Sequence, residues 1–346
     1  MLLIFYRGFM FVLLPFISLI GITVANKPLQ TQLINECFTA RTDTTCLNRT
    51  GYLDITSYGK DFIAVGSNGR IDRIDANGIK TTIPIPVSIN LIAVITANNL
   101  IYIAGDSGTM LRSSDGESFR SFPTGCTKKL NDIVFFKGRI IAASDSGEII
   151  SSVDGEKWSR KRIKVTGNIV SLAANASFCI GITNKGDILK SSDGITWSIF
   201  DYNNVYAGFN KHCSFTRIAI GGNRIAIIGR HDDGLPALLF SSVGEVWTDR
   251  PLFYTSDDES AQLLQNQLID ISYDDKADQY LILCDHGIIF TVPSCIKCNR
   301  LFKVSEKQLY TLLLQEGAVI IAGENYFYNK IKFVSDNSVE NFQSWF

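Results

Sequence analysis

The chain has 346 residues, 46% of them hydrophobic and 19% charged, with 33 basic against 34 acidic side chains. That balance excludes the disordered class and the strongly basic nucleic-acid binders, so nucleic acid is not expected as a partner. With 22 Phe, 12 Tyr and 27 Gly beside only 3 His and 3 Met, strands and tight turns are favoured, and an all-β protein is the leading class.

Residues 1–25 have the form of a signal peptide. Arg7 precedes a run from Gly8 to Asn26 without a charge, and Thr23-Val24-Ala25 places small residues ahead of Lys27. An uncleaved anchor is the competing reading, but Pro15 and the small-residue end favour cleavage after Ala25. Either way the remainder is expected to be exported: secreted, extracellular or periplasmic, with no membrane span once the signal is removed. Residues 26–50 form a cysteine-containing extension. All 8 cysteines follow the signal, which suits an oxidising compartment and disulfide bonds. Cys37 with Cys46 and Cys295 with Cys298 would close the shortest loops, although sequence cannot choose among the pairings. The Cys295-Ile296-Lys297-Cys298 motif lacks the second ligand pair of a structural zinc site, so neither a metal nor another cofactor is expected. Cys179 and Cys284 sit in apolar strands and read as small buried thiols.

A period of 39 residues organises the chain from residue 51 to 346. Phe62–Gly69, Ile101–Gly108, Ile140–Gly147 and Cys179–Gly186 are four copies of one apolar strand ending in a glycine turn. Looser copies run from Ile225 to Gly234, Leu281 to Gly287 and Val319 to Tyr326, making seven. In the third copy the short β-prone runs are Asp132 to Phe136, Arg139 to Ala143, Glu148 to Ser151 and Trp158 to Ile163. Four antiparallel strands per copy make a propeller blade, and a seven-bladed β-propeller is the predicted fold, with an open β-solenoid as the less fitting alternative.

Between the third and fourth strands a turn recurs: Ser113, Asp115, Gly116 and Phe119; Ser152, Asp154, Gly155 and Trp158; Ser191, Asp193, Gly194 and Trp197. A fourth copy, Ser241 to Trp247, has Val243 where the others have Asp. Ser and Asp can accept turn amides, Gly tolerates positive φ, and the aromatic can fill the space between blades. This turn resembles the Asp-box (bacterial neuraminidase) repeat, with one residue fewer between Asp and Gly. As a repeat architecture the chain is similar to the seven-bladed photosystem II assembly factor-like propellers and more distantly to the sialidases. The resemblance implies that these turns serve structure and lie away from the binding face.

It also raises a second reading, a divergent sialidase-like glycoside hydrolase. Such an enzyme needs an arginine cluster, a Tyr–Glu nucleophile pair and an acid for the leaving group. Arg70-Ile71-Asp72 is the nearest match to the family's Arg-Ile-Pro, and its third residue differs. Aligning the innermost strands gives a channel ring of Asp54, Ala93, Asp132, Ser171, Arg217, Asp270 and Thr311, which holds a single arginine. No catalytic residues are assigned. The ring aspartates either gather a cationic ligand or bond strand-end amides, and the repeated Asp-Ile pair favours the second.

The two longest repeat intervals carry insertions, Tyr202 to Cys213 and Phe253 to Gln267, both joining one blade to the next. Blade connections share an end with the second-to-third strand turns, so Arg230 to Asp233 belongs with them. Tyr202, Tyr206, Phe209, His212, His231, Asp232, Phe253, Tyr254, Asp257 and Asp258 are therefore the candidate contact residues. The expected function is an exported, non-catalytic interaction propeller that presents this loop-rich face to a protein or glycan partner.

Overall fold

The computed structural model describes residues 50–342, apart from 87, 207–211, 222–223, 256–260, 294–299, 316 and 334–338. The signal segment and nearly all of the extension lie outside the described residues, as do Cys37, Cys46, Cys295 and Cys298. Among the described residues no helix is long and apolar enough to cross a membrane.

Seven four-stranded antiparallel sheets, each in sequential strand order, form an all-β seven-bladed propeller. The third blade comprises Leu130–Phe136, Arg139–Ser144, Glu148–Ser152 and Ser159–Arg162, within two residues of the pattern in the sequence. Second strands are apolar without alternation because a neighbouring blade covers each of their faces; Ile140 to Ser144 are all buried. Cores therefore form between blades. Ile63 and Ile71 of blade 1 pack with Leu91, Ile103 and Leu111 of blade 2. Ile141 and Ile149 of blade 3 pack likewise with Ile169 and Leu189 of blade 4.

The serine–aspartate–glycine turns close by a common set of bonds. In blade 4 the Ser191 hydroxyl accepts the Gly194 amide at 2.8 Å and donates to the Asp193 carboxylate at 3.0 Å. The same carboxylate oxygen accepts the Ile195 and Thr196 amides. Ser113 with Asp115 and Ser152 with Asp154 repeat this arrangement. Blade 5 keeps only the serine half, with the Gly244 amide on Ser241. Each turn also meets the preceding blade: Gly116 lies where a Cβ would press on the Tyr58 ring, while Phe119, Trp158, Trp197 and Trp247 join successive inter-blade cores.

A second inter-blade device is written in paired positions. Arg73 donates to the Asp115 carbonyl and pairs with Glu117 of the next blade. Arg112 does the same with Asp154 and Glu156, and Lys190 with Val243 and Glu245. In blade 3 the equivalent cation position is Ser151, and its partner position in blade 4 is Ile195. There Lys161 and Lys137 reach the blade 4 turn carbonyls of Ile195 and Ser192 instead.

Blade 1 is built wholly from the N-terminal side of the repeat region and blade 7 wholly from the C-terminal side, so no shared sheet closes the ring. Closure rests on a bridge between Gly51 and Glu324, the Asn325 amide on the Thr50 carbonyl, and Tyr326. The Tyr326 ring sits edge-on to Tyr52 at 5.4 Å and under Arg70 at 5.1 Å, and its carbonyl accepts Lys80.

The cysteine pairs expected to close the shortest loops lie outside the described residues. Cys126, Cys179, Cys213 and Cys284 are buried and not disulfide-bonded. Cys126, Cys179 and Cys213 each belong to a different inter-blade core. Cys179 and Cys284 are the buried thiols anticipated from their apolar strands.

Candidate functional site: the loop-bearing face and the central ring

All seven inner strands carry the same one-residue break in register with their second strands. A bulge twists and re-aims the strand. Its repetition places Asp54, Ala93, Asp132, Ser171, Arg217, Asp270 and Thr311 at equivalent positions, each just past the break.

The ring carboxylates are committed to the backbone. Asp54 accepts the amide of Ile55 at 2.8 Å and that of Val94, in blade 2, at 2.7 Å. Asp132 accepts Ile133 in its own strand and both the Leu172 amide and the Ser171 hydroxyl of blade 4. Asp270 accepts Ile271 and, from blade 7, the Leu312 amide. Blade 5 has Arg217 at this position, which donates to the Val170 carbonyl of blade 4 and lies 3.7 Å from Asp270 of blade 6. Thus the ring side chains tie neighbouring blades together at the channel. Burial raises the pKa of Asp54 to about 7, helped by the charges of Asp132 and Asp270 and opposed by the two amides. Burial also raises Asp132 and Asp270, with Arg217 opposing. Burial works against the Arg217 charge too, but Asp270, Asp132 and Asp54 hold its pKa above the ordinary value. Among the described residues no cluster of three acidic, His or Cys side chains has the geometry to hold a metal. A lone, already paired arginine does not make the arginine cluster of a sialidase.

The insertions lie at the end of the blades that carries the second-to-third strand turns. Tyr202–Val205 forms a short helix, α1, capped by Asp201, whose side chain accepts the Asn204 amide. The Tyr202 amide donates to Gly186 and the Asn203 side chain to Lys185, both in the blade 4 turn. The Asp232 amide in the blade 5 turn donates to His212. The second insertion is a hairpin of Phe253–Thr255 and Ala261–Leu263, and Asn266 beyond it donates to Asp285 in the blade 6 turn.

Within this face the expected contact residues divide. Tyr202 is fully buried against Phe215 and Tyr206, and Tyr254 is 5% exposed, with its hydroxyl donating to Gln262. Tyr206 is half-buried, and its hydroxyl accepts the Trp247 amide. Tyr202 and Tyr254 thus pack inward and Tyr206 is intermediate between them and the surface: an insertion laid over a blade end needs apolar anchors, and its aromatics supply them. His231 is also turned inward, 3.3 Å from both Cys213 and Asp249. His212, Asp232 and Phe253 are exposed, Phe253 at 47%. Phe209, Asp257 and Asp258 lie outside the described residues.

The fold is shared with solved propellers. A structure of YCF48 bound to D1 peptide superposes with a TM-score of 0.64 at 15% identity, over 83% of this chain and 94% of the other. YCF48 from Cyanidioschyzon merolae gives 0.61 at 16% identity, over 84% and 97%. The WD40 β-propeller domain of Doa1 gives 0.62 at 9% identity, over 83% and 95%. No protein-family model matches the sequence, and no curated protein matches it significantly.

Two features of this region escape the linear sequence. Cys213 and Asp249 are brought to His231 only by strand pairing, since Cys213 and His231 are directly opposite across the first two strands of blade 5. The inter-blade role of the ring aspartates was foreshadowed only by the repeated Asp-Ile pair.

Proposed function

We propose that this chain is an exported, non-catalytic interaction propeller that takes a protein segment on the face formed by the blade connections and the second-to-third strand turns. The observation that carries this reading is the construction of the two insertions. Among the described residues each insertion is anchored by a buried aromatic, Tyr202 in the first and Tyr254 in the second, while Phe253, His212 and Asp232 are exposed. A preorganised face loses less ordering entropy on binding, and an exposed aromatic is the residue type that most often dominates an interface. The peptide bound by a YCF48 propeller of the same fold supports a protein partner over a glycan. Export rests on the apolar run after Arg7. The serine–aspartate–glycine turns support kinship with Asp-box repeats, in a structural role.

The test is unbiased capture from the native host with the full chain and with Phe253→Ser. One protein recovered by the wild type and lost with Phe253→Ser, at unchanged melting temperature, is the expected result. Capture of a carbohydrate instead, or turnover of a sialoside or aryl-glycoside abolished by Arg217→Ala, contradicts the reading.

A further inference from the structure

Blade 5 contains a thiol, an imidazole and a carboxylate in series. Cys213 Sγ is 3.3 Å from His231 Nδ1, and His231 Nε2 is 3.3 Å from Asp249 Oδ2. Three different strands supply them: Cys213–Gly221, Arg224–His231 and Thr248–Asp249. The arrangement sits beneath the loop-bearing face, where the Asn203 side chain accepts the Cys213 amide and donates to its carbonyl. Opposite ends of one imidazole thus face a proton donor and an anion, which is the geometry of a base held in one orientation by a carboxylate.

We propose that Cys213 is an oxidant-reactive thiol, with His231 as the base that takes its proton, Asp249 as the positioning residue, and a small hydroperoxide as the substrate. Size decides the substrate class, because Cys213 is only 3% exposed and a bulky electrophile is shut out. Burial first, and then the charges of Asp249 and Asp232, push the isolated thiol up to about 12. Free thiolate is therefore scarce at neutral pH, and reaction requires transfer of the proton to Nδ1 as sulfur attacks. A sulfur–oxygen bond forms and the oxygen–oxygen bond breaks. The imidazolium returns the proton to the departing hydroxide or alkoxide, giving water or an alcohol. Sulfur is oxidised by two electrons to the sulfenic acid and the peroxide is reduced.

The other described thiols are internal controls. Cys179 is fully buried where Cys213 is 3% exposed, and burial with the Asp132 charge raises it to about 12, but no imidazole faces it. Cys284 bonds to the Ile282 carbonyl, and Cys126 faces the Glu148 carboxylate at 3.1 Å.

The experiment exposes the full chain to hydrogen peroxide, then unfolds it in a first alkylating reagent, reduces it, and labels it with an isotopically distinct second reagent. Mass spectrometry reads the reversibly oxidised fraction of each cysteine. Cys213 is expected to oxidise at least about tenfold faster than Cys179 near neutral pH. His231→Gln should bring it down to the Cys179 rate. Asp249→Asn should fold and shift the pH dependence of the Cys213 rate, which a merely structural contact would leave alone. Equal rates for Cys213 and Cys179 in the wild type, or a Cys213 rate and pH profile untouched by Asp249→Asn, overturn the proposal. Should His231→Gln fail to fold, those two comparisons still decide it.

Discussion

In the third-to-fourth strand turns of blades 2, 3 and 4 a buried serine hydroxyl is the pivot, because it accepts the glycine amide while orienting the aspartate. Ser191→Ala removes that acceptor from a buried amide and is expected to cost about 1–2 kcal/mol in denaturant unfolding, with partner capture unchanged. Exposed Asp154 is held down at about 2 by the Lys157 and Glu156 amides and the Ser152 hydroxyl. Its contribution is therefore complete above the unfolded carboxylate range and is lost as the pH falls toward about 2. The ring behaves in the opposite sense. Native Asp54 keeps its proton up to about 7, whereas the unfolded chain releases it near 4, so the native state binds more protons between them. Stability should fall as the pH rises through that window. Urea unfolding across the window is expected to show a shallower fall for Asp54→Asn than for the wild type; parallel curves would show that Asp54 does not carry the linkage.

At the scale of elements, blade-to-blade contacts do more than any exposed ion pair can. The Arg112 guanidinium donates to the Asp154 carbonyl, lies 4.4 Å from the Phe122 ring centre and pairs with the exposed Glu156. A double-mutant cycle of Arg112→Ala and Glu156→Ala should give a coupling below about 1 kcal/mol that shrinks with salt. Arg112→Ala alone should cost more, since it also removes the carbonyl bond and the stacking. The insertions illustrate what sequence could and could not reveal. Their position at one end of the blades follows from strand count, because an up-and-down blade returns to the same end for both kinds of connection. Which aromatics face inward does not follow, since burial is set by the neighbouring elements: Tyr254 and Phe253 are adjacent in sequence and opposite in exposure. Tyr254→Ser is thus expected to destabilise by about 3 kcal/mol, and Phe253→Ser, at a side chain 47% exposed, by clearly less. The 39-residue period and the recurring glycines carried the fold because every blade repeats one hydrogen-bonding plan. Cys213, His231 and Asp249 carried no such signal, being a single instance that only strand register assembles.

For the whole molecule, the seam between blades 7 and 1 is where the ring has no shared sheet, and Tyr326 bears much of that closure. It stands in a left-handed conformation, φ 57°, at the position where Gly69, Gly108, Gly147 and Gly287 stand in other blades. An L-residue there is strained by about 1 kcal/mol, which its contacts with Tyr52 and Arg70 offset. Tyr326→Gly and Tyr326→Ala lose the same contacts, but only alanine keeps the strain, so the glycine variant is expected to be more stable by about 1 kcal/mol. Closed in this way, the propeller offers two ends, and the proposed protein partner binds only at the loop-bearing one. The most direct measurement is site-specific photo-cross-linking in the native host, with the reactive amino acid placed at Phe253 or Asp232 on that end and at Asn99 or Asp275 on the other. A single protein adduct from Phe253 and Asp232, absent from Asn99 and Asp275, is the predicted result. Adducts confined to Asn99 and Asp275 would place the partner at the opposite end and overturn the proposed function.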